Sequence, residues 1–480
     1  MSAEIIRPIE NLPLVVDLDN TLVLTDTLDE QAAQALFRRS NLLLRAIVNL
    51  THGRAAFKAA LACENDPSLS NLPLREDLLA WLREQAARGR EIHLCSAANQ
   101  KIVDAIAARI GIFRSAKGSD RANLKGDHKA DYLKQAFPDG FVYAGDSSAD
   151  LSVWRAASGI VLAGASPSVA KAARNLGKPV EAEFFNVPLT LRERLKTLRV
   201  HHWSKNFLIF VPLILGHAWT DPGAILATLA GLACLLLLTS ATYLLNDIAD
   251  LDADRQHLSK RRRAIASGKW SIRSALLLAS TAIVIAFAGA LTLSPAFALA
   301  LAIYLALTLA YSFGLKRIPL LDTLIIGILF TIRLVMGIAL LGQPYSEWLL
   351  AFSMFFFVSL AVAKRHAEIV GAEAAGRREL AGRGYRVEDG ALTLVVGGAT
   401  AAASLLIMVL FLVEEVFRRN AYDNPMILWG VPLALSIWIG RIWLLAHRGE
   451  MSDDPVSFAL RDRTSLALGA AVAALFLAAL

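Results

Sequence analysis

The stretch AILATLAGLACLLLLTSATYLLNDIADLDADR, residues 224–255, decides how the second half of this chain is built. Residues 224–246 carry no charged side chain. At about 1.5 Å of rise per residue they cover a bilayer core, so the spacing predicts a membrane-spanning helix. The apolar run then ends in Asn246, Asp247, Asp250, Asp252 and Asp254. On a helix Asn246, Asp250 and Asp254 stand four residues apart and share a face, with Asp247 beside them. Carboxylates stacked at a membrane boundary repel one another unless cations lie among them. Magnesium joins a few carboxylates to substrate phosphates, which favours a diphosphate site on Asn246, Asp247, Asp250 and Asp254 over a merely solvated helix end.

Apolar segments recur outward from this one. Nine candidate spans follow, at 206–220, 224–246, 274–292, 295–313, 319–341, 346–363, 391–413, 426–446 and 464–480. Residues 191–480 hold 27 basic against 20 acidic side chains, whereas residues 1–190 hold 22 of each, so the net charge of +7 belongs to the apolar half. Alternating nine spans puts 24 of those 27 basic residues on one face, which the positive-inside rule makes cytoplasmic. A mean hydropathy of +0.47 is too high for an ordinary soluble protein and makes disorder and nucleic-acid-binding tails poor readings. Cys63, Cys95 and Cys234 have no metal-ligand spacing and read as thiols in a reducing compartment. The first residues include Glu4, Arg7 and Glu10 and lack an apolar signal core, so the first domain is expected on the cytoplasmic side.

Residues 1–190 alternate short β-like runs with amphipathic helical stretches, the pattern of an α/β domain with a Rossmann-type parallel sheet. Strands are expected at 14–18, 91–95, 140–144 and 159–163, helices at 78–88 and 99–110, and a helical insert over 26–72. The chain thus divides into an α/β domain, 1–190, and an all-α polytopic domain, 191–480.

The first strand ends in Asp17-Leu18-Asp19-Asn20-Thr21. Carboxylates two residues apart on a strand end point the same way. One can attack phosphorus and the other can move the proton, with a divalent cation offsetting their repulsion. Ser96 follows the second strand and can bind a phosphoryl oxygen; Lys125 and Lys129 offer a cation. Asp146 and Asp150, after the next strand, suit magnesium together with Asp17 and Asp19. All these strand ends converge at the carboxyl edge of the sheet. Over about residues 10–180 the chain resembles the haloacid dehalogenase (HAD) superfamily of aspartyl-phosphate phosphatases. The resemblance implies Asp17 as nucleophile, Asp19 as general acid/base, Ser96 as phosphate ligand, Lys129 or Lys125 as the neutralising lysine, magnesium at Asp146 and Asp150, and the helical insert as a small cap.

In the second half, the NxxxDxxxD pattern Asn246–Asp250–Asp254 resembles the first motif of the UbiA superfamily of intramembrane prenyltransferases. Residues 311–322, which include Tyr311, Lys316 and Asp322, resemble its second motif region, except that Ile326 stands where the aromatic prenyltransferases have a second aspartate. Residues 200–206, 254–257, 264–268, 364–368 and 459–463 resemble the polyprenyl-phosphate phosphoribosyltransferase branch, with Ala264 in place of an expected proline. That branch implies phosphoribosyl diphosphate (PRPP) as donor, polyprenyl phosphate as acceptor and Mg2+ as cofactor. Asp250 and Asp254 would be catalytic, while Lys205, Asn246, Arg255, Lys260, Arg261, Lys316, Lys364 and Arg365 would hold phosphates. Arg333 is an intramembrane charge, read either as a site residue or as a satisfied interhelical hydrogen-bond donor.

The resulting expectation is a bifunctional multi-pass enzyme of the cell (inner) membrane, with both active sites cytoplasmic. One half moves 5-phosphoribose; the HAD half hydrolyses a phosphomonoester, the 5-phosphate of that product being the candidate. The bilayer is its surroundings, nucleic acid is no partner, and a homo-oligomer is left open. The alternative is a prenyl group moved from a prenyl diphosphate to an aromatic acceptor. A third reading is a transporter or structural membrane protein carrying a regulatory domain; it leaves the acidic face at 246–254 without a purpose.

Overall fold

The computed structural model describes residues 9–38, 71–119, 124–342, 346–380, 382–418, 422–451 and 455–480. The start of the chain, most of the expected helical insert and Cys63 lie outside the described residues. Two compact units are present: Met1–Leu198 with Tyr243–Leu278, and Arg199–Thr242 with Ala279–Leu480. Spatial grouping therefore departs from a single cut at residue 190. The Asp-rich end of the first long apolar helix and the loop after it belong to the unit that holds the sheet.

That sheet has six parallel strands in the order β3-β2-β1-β4-β5-β6. They are β1 Leu14–Val16, β2 Ile92–Asn99, β3 Ser115–Ser119, β4 Val142–Gly145, β5 Gly159–Ala163 and β6 Val180–Phe184. The central strands read as unbroken apolar runs because helices cover both faces; all of β1, β4 and β5 is buried. Strands β3 and β6 were not expected. Their sequences, SAKGS and VEAEF, lack an apolar run because both lie at sheet edges. Strand order reverses between β1 and β4, which opens a crevice outside their carboxyl ends.

Local signals set the helices that flank this crevice. Helix α1, Thr27–Arg38, is the described part of the insert. Helix α2 is Glu76–Ala87, and α3, Gln100–Ile110, starts where the Asn99 side chain accepts from the Lys101 N–H and stops at Gly111 with φ +73°. Helix α4, Asp127–Ala136, follows Gly126 (φ +61°) and carries the buried Lys129 in its first turn.

In the second unit and its junction with the first, seven helices among the described residues are long and apolar enough to cross a membrane. They are Pro222–Ala249, Ile272–Leu293, Pro295–Phe313, Leu321–Leu341, Glu347–Ala374, Val387–Val416 and Pro425–His447. The expected nine are thus reduced by two. Residues 206–220 instead contribute to a 3₁₀ stretch Val200–Phe210, a short α-helix Val211–Leu215 and a second 3₁₀ turn Ala218–Thr220. Pro212 sits at the start of that short helix, and His217 at φ +54° turns the chain out of it. Helix Arg463–Ala479, with 17 residues, is shorter than the seven.

Small residues let these helices approach. A Cβ on Gly397 would stand 1.9 Å from the Trp443 ring. Trp443 in turn donates to Ser359 Oγ at 3.0 Å, and Ser359 donates to the Gly397 carbonyl at 3.0 Å, tying three spans together.

Candidate active sites

At the crevice, Asp17 follows β1 and Asp146 follows β4. Asp17 accepts from the Leu18 N–H at 2.8 Å and pairs with Lys129 Nζ at 3.0 Å. Lys129 also donates to Tyr143 Oη at 2.8 Å, and Tyr143 donates to Asp150 at 3.0 Å. The other oxygen of Asp150 accepts from the Ser147 N–H, the Ser147 hydroxyl and the Asp146 N–H. A buried network therefore fixes the cation against the expected nucleophile. Lys129, not Lys125, is the lysine brought to Asp17; Lys125 lies exposed on the rim of the same cavity.

Carboxylate oxygens of Asp17, Asp146 and Asp150 lie within 4.8 Å of one another. Burial, with Asp150 and Asp17 adding to it, raises the Asp146 carboxyl to about 8. Burial also raises Asp17, against the opposing pull of Lys129. Three carboxylates crowded around the single cation Lys129 carry more negative charge than it offsets, and a divalent cation such as Mg2+ fits that set of hard oxygen donors. Asp19 is not in this cluster. Its carboxylate accepts from the Thr27 N–H at 2.8 Å, and burial with neighbouring Asp26 raises it to about 7. That environment suits proton transfer rather than metal binding. Ser96 is buried, accepts from the Ala98 N–H at 3.1 Å and lines the same cavity.

The Asp-rich segment is organised differently from the expected helical face. The long helix ends at Ala249 and a short helix resumes at Leu251, with Asp250 between them at φ −94°, ψ 7°. Asp247 and Asp254, seven residues or about two turns apart, converge instead. Both accept from one nitrogen of Arg263, at 3.0 and 2.5 Å. Burial, with Asp247 adding to it, raises the Asp254 carboxyl, and Arg263 opposes the shift. Two hard carboxylates converging on one positive charge also suit Mg2+ with diphosphate oxygens. Asn246 and Asp250 are half-buried beside this pair, whereas Lys260 and Arg261 are exposed on a 3₁₀ turn. Arg255 departs from the expected phosphate role: it makes a two-nitrogen ion pair with Glu30 of α1 and donates to the Ala266 carbonyl.

In the second unit, Asp322 is fully buried and neutralised. Its oxygens accept from Arg365 Nε at 2.7 Å and Tyr385 Oη at 2.7 Å, with Arg383 at 3.6 Å. Arg383 also donates to Tyr311 Oη at 2.7 Å, and Arg365 reaches Glu368. Asp322, Arg365 and Tyr311 are thus brought together, joined by Arg383 and Tyr385. Arg333 donates to Asn206 Oδ1 and Tyr304 Oη, each at 2.9 Å, and to the Leu329 carbonyl. It is the satisfied interhelical donor rather than an open charge. Lys205 Nζ lies 5.7 Å from the Phe330 ring, which also faces Arg333. Lys316 occupies a 3₁₀ turn, and Lys364 is half-buried beside Arg365.

Some residues of these sites carried little sequence signal. Arg263 ends a visible Lys-Arg-Arg-Arg run, but Tyr143 lies inside an apolar strand. Glu30, Arg383 and Tyr385 are ordinary surface types in sequence until the fold buries or pairs them.

Fold and sites together define an integral membrane protein with paired carboxylates beside basic side chains. The chain belongs to the UbiA prenyltransferase family, whose model matches residues 207–478. The uncharacterized protein y4nM of Sinorhizobium fredii is 46% identical, over 98% of this chain and 91% of that protein. Decaprenyl-phosphate phosphoribosyltransferase of Mycobacterium tuberculosis is 31% identical, over 56% of this chain and 88% of that enzyme. Among solved structures, a UbiA homolog from Archaeoglobus fulgidus bound to GPP and Mg2+ is 15% identical. It covers 60% of this chain and 98% of its own, with a TM-score of 0.41. A phospho-aspartyl intermediate analogue of phosphoserine phosphatase is 18% identical, covering 39% of this chain and 98% of its own, with a TM-score of 0.27.

Proposed function

We propose that the chain is a bifunctional membrane enzyme with a phosphoribosyltransferase site and a HAD-type phosphatase site. The first site transfers 5-phosphoribose from PRPP to a polyprenyl phosphate, and the second removes the 5-phosphate from that product. Both sites would face the cytoplasm. The observation that carries this reading is that the Asp247–Asp254 pair and the Asp17 cluster belong to one compact unit. The relative from Mycobacterium tuberculosis supports PRPP over a prenyl diphosphate. So does Asp322, which is neutralised by Arg365 and stands without a second aspartate at Ile326.

In the transfer step an oxygen of the prenyl phosphate attacks the anomeric carbon of PRPP, and the bond to pyrophosphate breaks. Asp247 and Asp254, with Asp250 and Asn246 beside them, would hold the Mg2+ that offsets the diphosphate charge, and Lys260 and Arg261 attract the anion to it. In the phosphatase step a carboxylate oxygen of Asp17 attacks phosphorus and the bond to the ribose 5-oxygen breaks. Asp19 gives its proton to that oxygen, then takes one from the water that hydrolyses the aspartyl phosphate. Lys129 opposes the rise that burial imposes on Asp17, and Ser96 steadies a phosphoryl oxygen. Magnesium, when bound at the two carboxylate groups, would supply positive charge against the phosphate oxygens.

Purified full-length protein in liposomes, given Mg2+, polyprenyl phosphate and labelled PRPP, should release pyrophosphate and label the lipid. Prenylation of 4-hydroxybenzoate from a prenyl diphosphate, with PRPP left intact, would overturn the phosphoribosyl reading.

A further inference from the structure

The phosphatase cavity encloses about 470 Å³, and its wall includes Asp17, Asp19, Ser96, Lys129 and, from a segment over a hundred residues away, Arg273. A cavity of that size takes a small molecule rather than a lone phosphate. Its cations have unequal duties. Lys129 is buried and consumed by Asp17 and Tyr143. Arg273 is different: 65% of its side chain is exposed, and one terminal nitrogen meets Asp29 of α1 at 2.9 Å. That ion pair sets the guanidinium at the cavity wall while most of its N–H donors stay available.

The chain position of Arg273 matters equally. It is the second residue of the apolar helix Ile272–Leu293. A charged residue in the first turn of a membrane span lies at the headgroup level, where the phosphate of a lipid also lies. An arginine fork binds a phosphodiester through charge-assisted hydrogen bonds, and such a diester is anionic at every physiological pH.

We propose that Arg273 is a specificity residue of the phosphatase site, binding a second, lipid-linked phosphodiester of the substrate whose monoester is cleaved at Asp17. The inference rests on the phosphatase reading above and adds the substrate class: a sugar bearing a phosphomonoester at one end and a phosphodiester at the other. Ribose 5-phosphate and other single-phosphate esters would enter the cavity without engaging Arg273.

The test measures phosphate release by the full-length protein with Mg2+ from three probes. These are ribose 5-phosphate, its 1-O-(methylphosphoryl) derivative and its 1-O-(farnesylphosphoryl) derivative. Wild type should favour both diester probes over ribose 5-phosphate in kcat/KM by about tenfold or more. Arg273→Ala should remove most of that preference, chiefly through KM, and Arg273→Lys should keep part of it. Arg273→Gln keeps a polar N–H donor on a shorter side chain without the charge, so it should behave like the alanine variant if charge reads the diester. Equal preference in wild type and in both neutral variants overturns the assignment, as does a wild type without preference. Arg273-dependent preference for the methyl probe with no cleavage of the farnesyl probe would instead sink the lipid-linked part and, with it, the reading of the product as substrate. Dephosphorylation of the transferase product with no dependence on Arg273 would leave the phosphatase reading intact and overturn this inference alone.

Discussion

Arg255 donates to both carboxylate oxygens of Glu30, at 3.0 and 2.6 Å, with the two side chains only 5% and 2% exposed. The pair joins α1, beside the phosphatase cavity, to the short helix that carries Asp254. Arg273 with Asp29 and Lys269 with Glu193 make further links of the same sign pattern. Arg255 and Lys269, which the sequence offers to substrates or to topology, are here paired with acidic partners within one unit, while Arg273 gives Asp29 one of its terminal nitrogens.

Removing one member of that pair strands a buried charge, which costs more than the pair contributes. Glu30→Gln should therefore destabilise the sheet unit by about 3–5 kcal/mol. Glu30→Leu with Arg255→Met should recover much of the loss. Thermal unfolding of the detergent-solubilised protein checks this, and a double variant as unstable as the single one contradicts it.

Asp17→Asn removes the attacking oxygen while keeping the shape of the site. Phosphatase turnover should fall by at least about a thousandfold, as for loss of a catalytic nucleophile. Transfer should continue, so the lipid product should keep its 5-phosphate. Mass spectrometry of the lipid extract reads the difference directly.

The cavity carboxyls make stability depend on pH in a stated direction. Asp19 rises to about 7 and Asp146 to about 8, both mainly through burial. Folded-state values above the unfolded ones mean that the native protein binds more protons, so this stabilisation is full at low pH and is lost as pH climbs through about 7 to 8. Without divalent metal, the unfolding temperature of the sheet unit should fall from about pH 4 to about pH 8 on account of these groups and change little above that. Added Mg2+ should raise it most at the alkaline end, because the ion replaces the protons.

Asp322 tests whether the second motif region binds metal or carries an ion pair. Asp322→Asn removes the buried counter-charge of Arg365, leaving it the partly exposed Glu368, and should destabilise the membrane unit by up to about 3–5 kcal/mol. If instead its effect were confined to a raised Mg2+ requirement with unchanged unfolding, Asp322 would be acting as a metal ligand. Unfolding and Mg2+ titration on the same preparation separate the two.

Much of this was legible in residue order. Asp17 and Asp19, Ser96 and Asp146 were readable because a parallel sheet brings strand ends to one edge, and strands announce themselves as apolar runs. The edge strands β3 and β6 were not readable, since an edge strand faces water and needs no such run. Spans were readable wherever an uncharged stretch was long enough. The expected span 206–220 is instead a run of short helices, because hydropathy records apolarity and ignores Pro212 and the left-handed turn at His217.

The sequence by itself determined the two kinds of unit, the carboxylates at the strand ends and the acidic end of the first long span, because these depend on local composition and periodicity. Tertiary structure alone decided which charges meet. It gave Lys129 rather than Lys125 to Asp17, placed Arg263 between Asp247 and Asp254, spent Arg255 on Glu30 and Arg365 on Asp322, and brought Arg273 to the phosphatase cavity. The reason is physical: an ion pair is fixed by distance in space and by exclusion of water, and residue order specifies neither.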